Sequence, residues 1–318
     1  MTFLRGEPGD KAGASFAPLM RMRRSSCAVA ILSGWLFAAA ACGGSSPATP
    51  TATSTTGSGR APVRLKVMTF NIQHGIDGTN RYNLQRAIDT IARAQADIVG
   101  LQEVTRNHPY YACDDQPAKL AAGLRAATGQ AWEVAYEQEW FTLDVSCQSS
   151  GRGDGRETEG LAFLTRRAMS PPSMQVLPDS RIGLQIAIRD AYSLPIVVTH
   201  LSSGAAKLSA RTQQIDRLVA WARAFGQPLI LMGDFNAGPQ APELTPVVSG
   251  FRDAWADAAA AGRTIGAGLT QRTTRIDYIF YIDGGSMALE SAEFVDTAAL
   301  IGVIASDHQP LAATFTIR

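Results

Sequence analysis

The sequence predicts a single α/β domain of about 255 residues. Three observations support this fold class. Short apolar runs typical of buried strands alternate with amphipathic segments typical of helices along residues 62–318. Strands outnumber helices, and two strand–helix–strand halves follow one another. Neither a short-period repeat nor a shift in composition marks a domain boundary after residue 62.

The individual elements follow from hydrophobic periodicity and from capping residues. Asn83 is a candidate N-cap of the first helix, and Gly129 is expected to end the second. The strands are predicted at 63–71, 97–102, 160–166, 182–189, 195–200, 229–234, 275–282, 288–295 and 311–317. The helices are predicted at 82–94, 119–128, 207–225 and about 251–261. We expect 182–189 to lie beside 195–200, 275–282 to pair with 288–295, and 106–159 to be irregular around the second helix.

The stretch 229–239 combines a buried strand with a polar end. Four apolar residues lead into a glycine, followed by Asp234, Phe235 and Asn236. Side chains alternate along a strand, so Asp234 and Asn236 are expected on one side and Phe235 on the other. A carboxylate and a carboxamide at a strand end suit a hard cation or a phosphate. A turn after a core strand also often holds Asp and Asn for local hydrogen bonds, so both interpretations stay open for this stretch alone.

The first 60 residues differ in composition from the rest of the chain. Basic residues at 21, 23 and 24 precede an apolar run from Cys27 to Ala41. This run of about 15 residues is shorter than the roughly 20 that span a bilayer as a helix. We therefore interpret residues 1–42 as an export signal, with Met20 as an alternative start.

Cys42 follows three alanines and precedes two glycines and two serines, which resembles a bacterial lipoprotein cleavage site. Ala39 stands where a larger aliphatic residue is usual, so cleavage with release is the alternative to lipidation at Cys42. Residues 43–61 are rich in Ser, Thr, Pro, Gly and Ala and predict a flexible tether. The expected protein is exported and monomeric. It is either anchored by lipid alone at the bacterial cell surface or in the periplasm, or secreted.

The chain has four cysteines. Cys27 lies in the predicted signal and Cys42 at the lipidation site, which leaves Cys113 and Cys147 for the folded domain. Outside the cytoplasm these two are expected to form a disulfide that closes a loop of roughly 35 residues. Two buried free thiols are the alternative, and the spacing does not match a zinc site.

The charge of the folded part is slightly negative. The first 42 residues hold five of the 29 basic residues and two of the 28 acidic ones, so the remainder has a formal net charge of −2. Tight, length-tolerant nucleic-acid binding usually shows a basic footprint, and no polybasic run is present here.

Residues able to bind metal or transfer protons recur at the ends of the predicted strands. The ends of strands in open α/β sheets gather into one crevice. Each residue has a structural alternative as a turn residue, a helix cap or a buried core histidine, but their joint appearance favours one site. They are Asn71, Glu103, His200, Asp234, Asn236, Asp277, Asp307 and His308.

Six short motifs stand in an order typical of one enzyme superfamily. They are Thr69-Phe70-Asn71-Ile72, Leu101-Gln102-Glu103-Val104, Thr199-His200-Leu201, Gly233-Asp234-Phe235-Asn236, Arg275-Ile276-Asp277-Tyr278 and Ser306-Asp307-His308. The chain resembles the endonuclease/exonuclease/phosphatase (DNase I-like) superfamily, in particular its exported bacterial members. The resemblance covers 62–318. It implies a four-layer α/β sandwich, with two mixed sheets face to face, helices outside and the site at one end.

The resemblance also implies a metal site and a substrate class. Glu103 is the expected main ligand of Mg²⁺, with Asn71 beside it and Asp307 completing the set; Mn²⁺ is an alternative metal. So sparse a protein ligand set suits Mg²⁺, which keeps most of its waters. The expected activity is Mg²⁺-dependent hydrolysis of a phosphoester by in-line attack of water.

The remaining site residues receive catalytic roles from the same resemblance. Asp277 and His308 are expected to act as an orienting carboxylate and an imidazole that activates or hydrogen-bonds the reacting groups. The expected positioners of water and phosphate are Asp234 and Asn236. His200 would donate to a phosphate or leaving-group oxygen. In the DNase I branch a glutamate just before a strand orients that histidine, and here Glu159 has the matching place, with Glu157 as a competitor.

Two positions depart from the pattern of the superfamily. Abasic-site endonucleases have an aspartate two residues after the Asn71 position, where this chain has Gln73. His74 follows directly and could line the pocket or stabilise a turn. Whether Asp234 or His308 is the base differs between branches and stays open.

The substrate stays open between a nucleic acid, a lipid headgroup or small phosphodiester, and a monoester. The expected contact between His200 and Glu159 favours a nuclease, whereas the net charge and the tether favour the smaller esters. A surface binding protein that has lost catalysis is the rival class, disfavoured because the acidic residues and His308 are all present. A periplasmic solute-binding lipoprotein is disfavoured because the second half does not resemble the first.

Overall fold

A computed structural model describes residues 60–271 and 273–318. The predicted export signal and lipidation site, with nearly all of the predicted tether, lie outside the described residues. Within the described ranges, no helix is both long and apolar enough to cross a membrane.

The elements follow one another as strands broken by helices, as predicted. In the described residues the strands are β1 (Val63–Asn71), β2 (Ile98–Arg106), β3 (Glu133–Leu143), β4 (Arg156–Thr165), β5 (Ser173–Val176), β6 (Ile182–Ile188), β7 (Leu194–His200), β8 (Leu229–Asp234), β9 (Arg252–Asp253), β10 (Thr264–Ile265), β11 (Asp277–Ile282), β12 (Met287–Phe294) and β13 (Leu311–Ile317). The helices are α1 (Gln85–Ala94), α2 (Gln116–Thr128), α3 (Ser146–Ser149), α4 (Leu208–Arg223), α5 (Thr245–Val248), α6 (Ala254–Ala260) and α7 (Thr297–Ile301).

The strands form two mixed sheets. The first has the order β10-β12-β13-β1-β2-β4-β3, and the second β5-β6-β7-β8-β11-β9. The central pairs β1–β2 and β7–β8 are parallel, whereas β13 runs antiparallel to β1 and β11 antiparallel to β8. The carboxyl ends of four central strands and the starts of β11 and β13 therefore lie at the same end of their sheets.

Three apolar clusters define the layers. The largest lies between the two sheets and includes Leu65 of β1 and Met232 of β8, both fully buried. A second cluster packs α1 and α2 on the outer face of the first sheet, for example through Ile91. A third packs α4 on the outer face of the second sheet, with Leu218 against Leu231 and its neighbours. This arrangement confirms the predicted four-layer sandwich.

Burial on both faces explains the continuous apolar sequence of the central strands. All six residues of β8 and all seven of β7 are buried, because sheet packs on one face and helix on the other. Tyr278 and Phe280 on β11 and Phe235 after β8 form a group of edge-to-face and stacked rings under α4. The carboxylates at the site end therefore rest on a rigid apolar base.

The structure corrects three of the predicted elements. Residues 106–159 are not irregular, since they contain the eleven-residue strand β3 and the start of β4. β3 is the edge strand of its sheet, and its mostly exposed or half-buried residues form no continuous apolar run, which hid it from a search for such runs. Strands 275–282 and 288–295 do not pair, because β11 and β12 belong to different sheets. Asn83 does not cap α1, whose N-cap is Leu84 without a side-chain bond.

The predicted disulfide between Cys113 and Cys147 is present, with Cα atoms 5.6 Å apart. It joins the loop after β2 to α3, which follows β3. Tyr111, on the same loop, stacks on the imidazole of His74 with ring centroids 5.1 Å apart. The covalent link therefore holds a loop that packs against a residue of the candidate site.

Candidate active site

The candidate site is built from the converging ends of both sheets. Asn71 ends β1, His200 ends β7 and Asp234 ends β8. Asp277 begins β11 directly opposite Asp234 in the antiparallel register, and His308 precedes β13. The topology thus gathers these predicted residues into one place, as the resemblance implied.

Unusual backbone conformations direct two glutamates of the first sheet toward this end. Glu103 sits inside β2 rather than after it, at a bulge, with φ of +56°. Glu139 occupies a corresponding bulge in β3, between Gln138 and Trp140. A bulge re-aims the side chain that it carries, and left-handed non-glycine residues tend to occur where function requires them.

A glycine allows the second sheet to close up beside the site. At Gly233 the backbone has φ of +144°, and an added Cβ would lie 2.0 Å from the carbonyl oxygen of Thr199 on the neighbouring strand. Only glycine fits this approach of β8 to β7. It brings the neighbours that follow, Asp234 and His200, into register opposite each other.

Asn71 links the first sheet to the second. Its Nδ2 donates to Glu103 Oε1 at 2.9 Å and to Asp234 Oδ2 at 3.2 Å. Its Oδ1 accepts from the backbone N–H of Gln73 and keeps a free lone pair. The orientation of the carboxamide is therefore set, with its oxygen available to a cation.

His308 and Asp277 form a buried hydrogen-bonded pair. His308 Nδ1 lies 2.8 Å from Asp277 Oδ2, and both side chains are nearly fully buried. Burial disfavours the charged imidazole, but the carboxylates of Asp277 and Asp234 outweigh it and raise the pKa of His308 to about 10. The Nε2 atom faces Asp234 Oδ2 at 3.8 Å.

Asp234 is almost fully buried, as is Asp277. Burial, reinforced by the nearby charge of Asp277, raises the pKa of Asp234 to about 8. Its Oδ1 accepts from the backbone N–H of Asn236, and its Oδ2 faces both His200 Nε2 at 3.6 Å and His308 Nε2. Asp234 therefore faces two imidazoles, and it can accept a proton at neutral pH only when a further positive charge beside it lowers that pKa.

The expected contact between Glu159 and His200 is wrong. Glu159 Oε2 instead lies 2.8 Å from His74 Nε2. His200 Nδ1 faces Arg181 Nη1 at 3.1 Å and Glu139 Oε2 at 4.0 Å. Because Glu139 lies on the unpredicted strand β3 and Arg181 in the turn before β6, motif order alone could not find them.

His74 lines the site. Its Nδ1 lies 3.6 Å from Glu103 Oε2, so the ring sits between Glu103 and Glu159. Burial lowers the pKa of the imidazole, but hydrogen bonding to Glu159 and the charges of Glu103, Glu159 and Asp307 outweigh it and raise that pKa. The competitor Glu157 contacts His108 at 2.7 Å instead.

Two predicted residues stand at the edge of this centre. Asn236 lies beyond the end of β8 with φ of +50°, so strand alternation does not extend to it, and its Nδ2 donates to the carbonyl of Leu201. Asp307 is exposed, and its backbone N–H donates to Gln73 Oε1 at 3.2 Å. Gln73 thus connects the end of β1 to Asp307. Abasic-site endonucleases have an aspartate at the position of Gln73.

The donor set fits a divalent cation. Burial raises the pKa of Glu103 and of Asp234, and a cation beside these carboxylates would favour their charged forms. Among the residues that the structure describes, the buried Oδ1 of Asp277 has no hydrogen-bond partner. In the described residues, Asp234, Asp277 and His308 place one ligand atom each within 4.8 Å of one another, a grouping that a metal could also use.

A cleft of about 610 Å³ opens beside this centre. It shares Gln73, Asp307 and Gln271 with the surroundings of the carboxylates and also includes Leu269 and Ile304. Gln271 Nε2 lies 3.4 Å from His308 Nε2, which connects the cleft to the Asp277–His308 pair. Its size suits a small ligand or one unit of a polymer.

Comparison with protein families decides the assignment. The family model described as Endonuclease/Exonuclease/phosphatase family matches residues 68–308, which contains all six motifs completely. The chain belongs to the endonuclease/exonuclease/phosphatase family. Members of this family are hydrolases that act on phosphoester bonds. A search of curated proteins finds no significant match to the chain.

Solved structures of the endonuclease/exonuclease/phosphatase fold are similar over most of the chain. An endonuclease/exonuclease/phosphatase from Beutenbergia cavernae has 23% identity and a TM-score of 0.59, covering 80% of this chain and 72% of its own. The human Nocturnin catalytic domain with bound sulfate has 19% identity and a TM-score of 0.58, covering 81% of this chain and 98% of its own. Truncated Caenorhabditis elegans TDP2 has 19% identity and a TM-score of 0.54, covering 79% of this chain and 97% of its own. At these identities the likeness establishes the fold.

Proposed function

We propose that this chain is a divalent-metal-dependent phosphodiesterase, with Mg²⁺ as the preferred ion. The observation that carries the proposal is the convergence of Asn71, Glu103, Asp234, Asp277 and His308 from both sheets on one buried centre. A binding protein without catalysis would have no need for a hydrogen-bonded Asp277–His308 pair buried beside another carboxylate.

The metal would be held by Glu103, Asn71 and the exposed carboxylate of Asp307. All three offer oxygen, which suits Mg²⁺, whereas the alternative grouping around His308 includes an imidazole, which suits softer ions. A bound metal of this kind offsets the charge that develops on a phosphoryl oxygen. The Asn71 hydrogen bond keeps Glu103 aimed at that position.

Residues at the ends of both sheets would position the attacking water and the phosphoester oxygens. Asp277 holds the His308 imidazole through Nδ1, so that Nε2 projects toward Asp234. Asp234 lies where an attacking water could give up a proton, and its own orientation is held by Asn71 and the Asn236 backbone. The imidazole of His200, 3.6 Å from the same carboxylate, would contact a phosphate or leaving-group oxygen.

Direct comparison of substrates tests this proposal. Plasmid DNA, sphingomyelin and bis-nitrophenyl phosphate are incubated with the protein in Mg²⁺ and in EDTA. We expect Mg²⁺-dependent hydrolysis of at least one diester, lost in Glu103→Ala and His308→Ala. Wild-type rates in both variants on every phosphoester would overturn the site assignment.

The second candidate is a hydrolase of lipid headgroups or small phosphodiesters. The formal net charge of −2 beyond residue 42 supports it, because a polyanion would gain little from such a surface. Hydrolysis of sphingomyelin or the small diester but not of DNA, at both low and physiological salt, would favour this candidate over a nuclease.

We also propose that the chain acts outside the cytoplasm, anchored by lipid at Cys42. The sequence pattern of residues 1–61 supports this location, and so does the disulfide, because disulfides persist in oxidising compartments. Fractionation of cells that express the wild type or Cys42→Ser tests it. Membrane association that does not change in Cys42→Ser would overturn the lipid anchor.

A further inference from the structure

Arg181 contacts the one nitrogen of His200 that points away from the centre. Arg181 Nη1 lies 3.1 Å from His200 Nδ1 and 2.9 Å from Glu139 Oε2. The His200 side chain is 5% exposed and that of Glu139 is fully buried, although the Glu139 backbone at the bulge is partly exposed. The guanidinium is therefore held between an acidic anchor and the imidazole.

The chemistry of arginine decides which nitrogen of His200 carries the proton. A guanidinium has only N–H donors and stays protonated in proteins, so it cannot accept a hydrogen bond. His200 Nδ1 must therefore be the acceptor. A neutral imidazole has one donor and one acceptor nitrogen, which leaves the hydrogen on Nε2, the atom 3.6 Å from Asp234 Oδ2.

We propose that Arg181 is a positioning residue that holds His200 as the neutral Nε2–H tautomer, aimed as a hydrogen-bond donor at an oxygen of the substrate. This inference rests on the proposed phosphodiesterase function for the identity of the acceptor, but the tautomer follows from the Arg181 contact alone. It also differs from the expectation of a carboxylate on Nδ1, which would favour hydrogen on that nitrogen.

The surroundings of His200 support a neutral ring. Burial is the main cause that lowers the pKa of His200 well below its ordinary value, and the charge of Arg181 adds to it. Glu139, the nearest carboxylate to Nδ1, lies at 4.0 Å and is engaged by Arg181. Arg181 is thus the charged group in hydrogen-bond contact with His200 Nδ1, and it can only donate to that nitrogen.

Nitrogen NMR on the full wild-type protein tests the tautomer without any substrate. The chain has four histidines, so the correlation between ring protons and ¹⁵N can be assigned to His200 by comparison with His200→Gln. We expect the pattern of a protonated Nε2 and an unprotonated Nδ1 at neutral pH. A protonated Nδ1, or an imidazolium, would overturn the proposal.

Two substitutions of Arg181 test its positioning role. Arg181→Met removes the donor that holds Nδ1 as an acceptor, so the Nε2–H tautomer should no longer dominate and kcat should fall about 100-fold, typical of losing one donor to the transition state, with a smaller change in KM. Arg181→Lys keeps a cationic donor and should keep the Nε2–H pattern. Arg189→Met, an exposed arginine after the same strand β6, is the matched control and should change neither.

The outcomes separate this proposal from the proposed function. If Arg181→Met does not fold, the wild-type and Arg181→Lys spectra still decide the tautomer. If no phosphoester is hydrolysed but His200 shows Nε2–H, the proposed function fails and the role of Arg181 in setting the tautomer stands. Unchanged spectra and unchanged kcat in folded Arg181→Met would overturn the positioning role.

Discussion

His308 and Asp277 are hydrogen-bonded across the boundary between the two sheets, with Nδ1 and Oδ2 2.8 Å apart. Asp277 begins a strand of the second sheet, and His308 leads into a strand of the first. Side chains on both sheets must be in register for this pair to form. The pair is therefore a sensitive indicator of both catalytic geometry and sheet packing.

Removing the charge of Asp277 should impair catalysis with little change of shape. In Asp277→Asn we expect kcat to fall at least about 100-fold, the lower range for loss of acid–base catalysis, because His308 loses the partner that orients it. Asp216→Asn, an exposed change on α4, is the control and should retain full activity. Equal kcat in the two variants would contradict the assigned role.

The same variant should alter the dependence of stability on pH. The folded pKa of His308 is about 10, above its ordinary 6.5, so its contribution is fully present below pH 6.5 and is lost as pH rises toward 10. Asp277→Asn should reduce that loss. Urea unfolding of both proteins at pH 6, 8 and 10 in EDTA measures the difference.

Glu103 should control metal affinity. We expect Glu103→Gln to weaken Mn²⁺ binding, measured by calorimetry, at least about 10-fold, which is the lower bound even for losing an outer-shell partner. Glu137→Gln, on β3, is the control. Unchanged affinity in Glu103→Gln together with lost affinity in His308→Ala would place the metal at the Asp234–Asp277–His308 grouping instead.

Glu139 should make the metal-free protein less stable as the solution becomes alkaline. Burial, only partly offset by the charge of Arg181, raises its pKa from 4.5 to about 8. A raised folded pKa means that its stabilising contribution is full below pH 4.5 and is lost as pH rises through 8. Glu139→Gln should therefore gain stability relative to the wild type between pH 5 and 9, by an amount on the order of a few kcal/mol. Parallel urea midpoints across that range would contradict this expectation.

The disulfide should stabilise both the domain and the loop that packs against His74 at the site. Its cysteines are 34 residues apart, and closing a loop of that length contributes about 3–4 kcal/mol in the chain-entropy model. We expect a Cys113→Ser/Cys147→Ser double variant to unfold at lower urea and to show a raised KM, since Tyr111 packs on His74 from the same loop. Wild type treated with a reductant should have the same urea unfolding midpoint as the variant. A different midpoint would mean that the serine side chains themselves change the stability.

The strands could be predicted from the sequence where both faces of a sheet are buried. β7 and β8 are apolar up to their last two residues, so their positions and their polar ends were predictable from the run of apolar residues. β3 was not, because an edge strand exposed to solvent needs no apolar run. The turn at Asn236 was not predicted either, because its left-handed backbone interrupts the alternation of side chains that a strand would continue.

The composition of the site was predictable, but some of its contacts were not. Motifs following strands identified Asn71, Glu103 and His308, because strand ends gather at one edge of a sheet. The partner of His200 depends on a bulge that shifts β3 by one residue, and a one-residue shift changes which side chain faces the site. Such a shift cannot be recognised in the sequence of β3, because its polar and apolar residues do not alternate regularly.

The pairing of β1 with β13 also sets when the site can exist. The two strands are neighbours in the sheet although they stand at opposite ends of the folded chain, so this contact has the longest loop to close. A nascent chain holds Asn71 and Glu103 long before it holds His308. The proposed hydrolytic activity can therefore arise only after His308 and β13 have been synthesised, and in refolding it should return with the final long-range pairing rather than with the first helices.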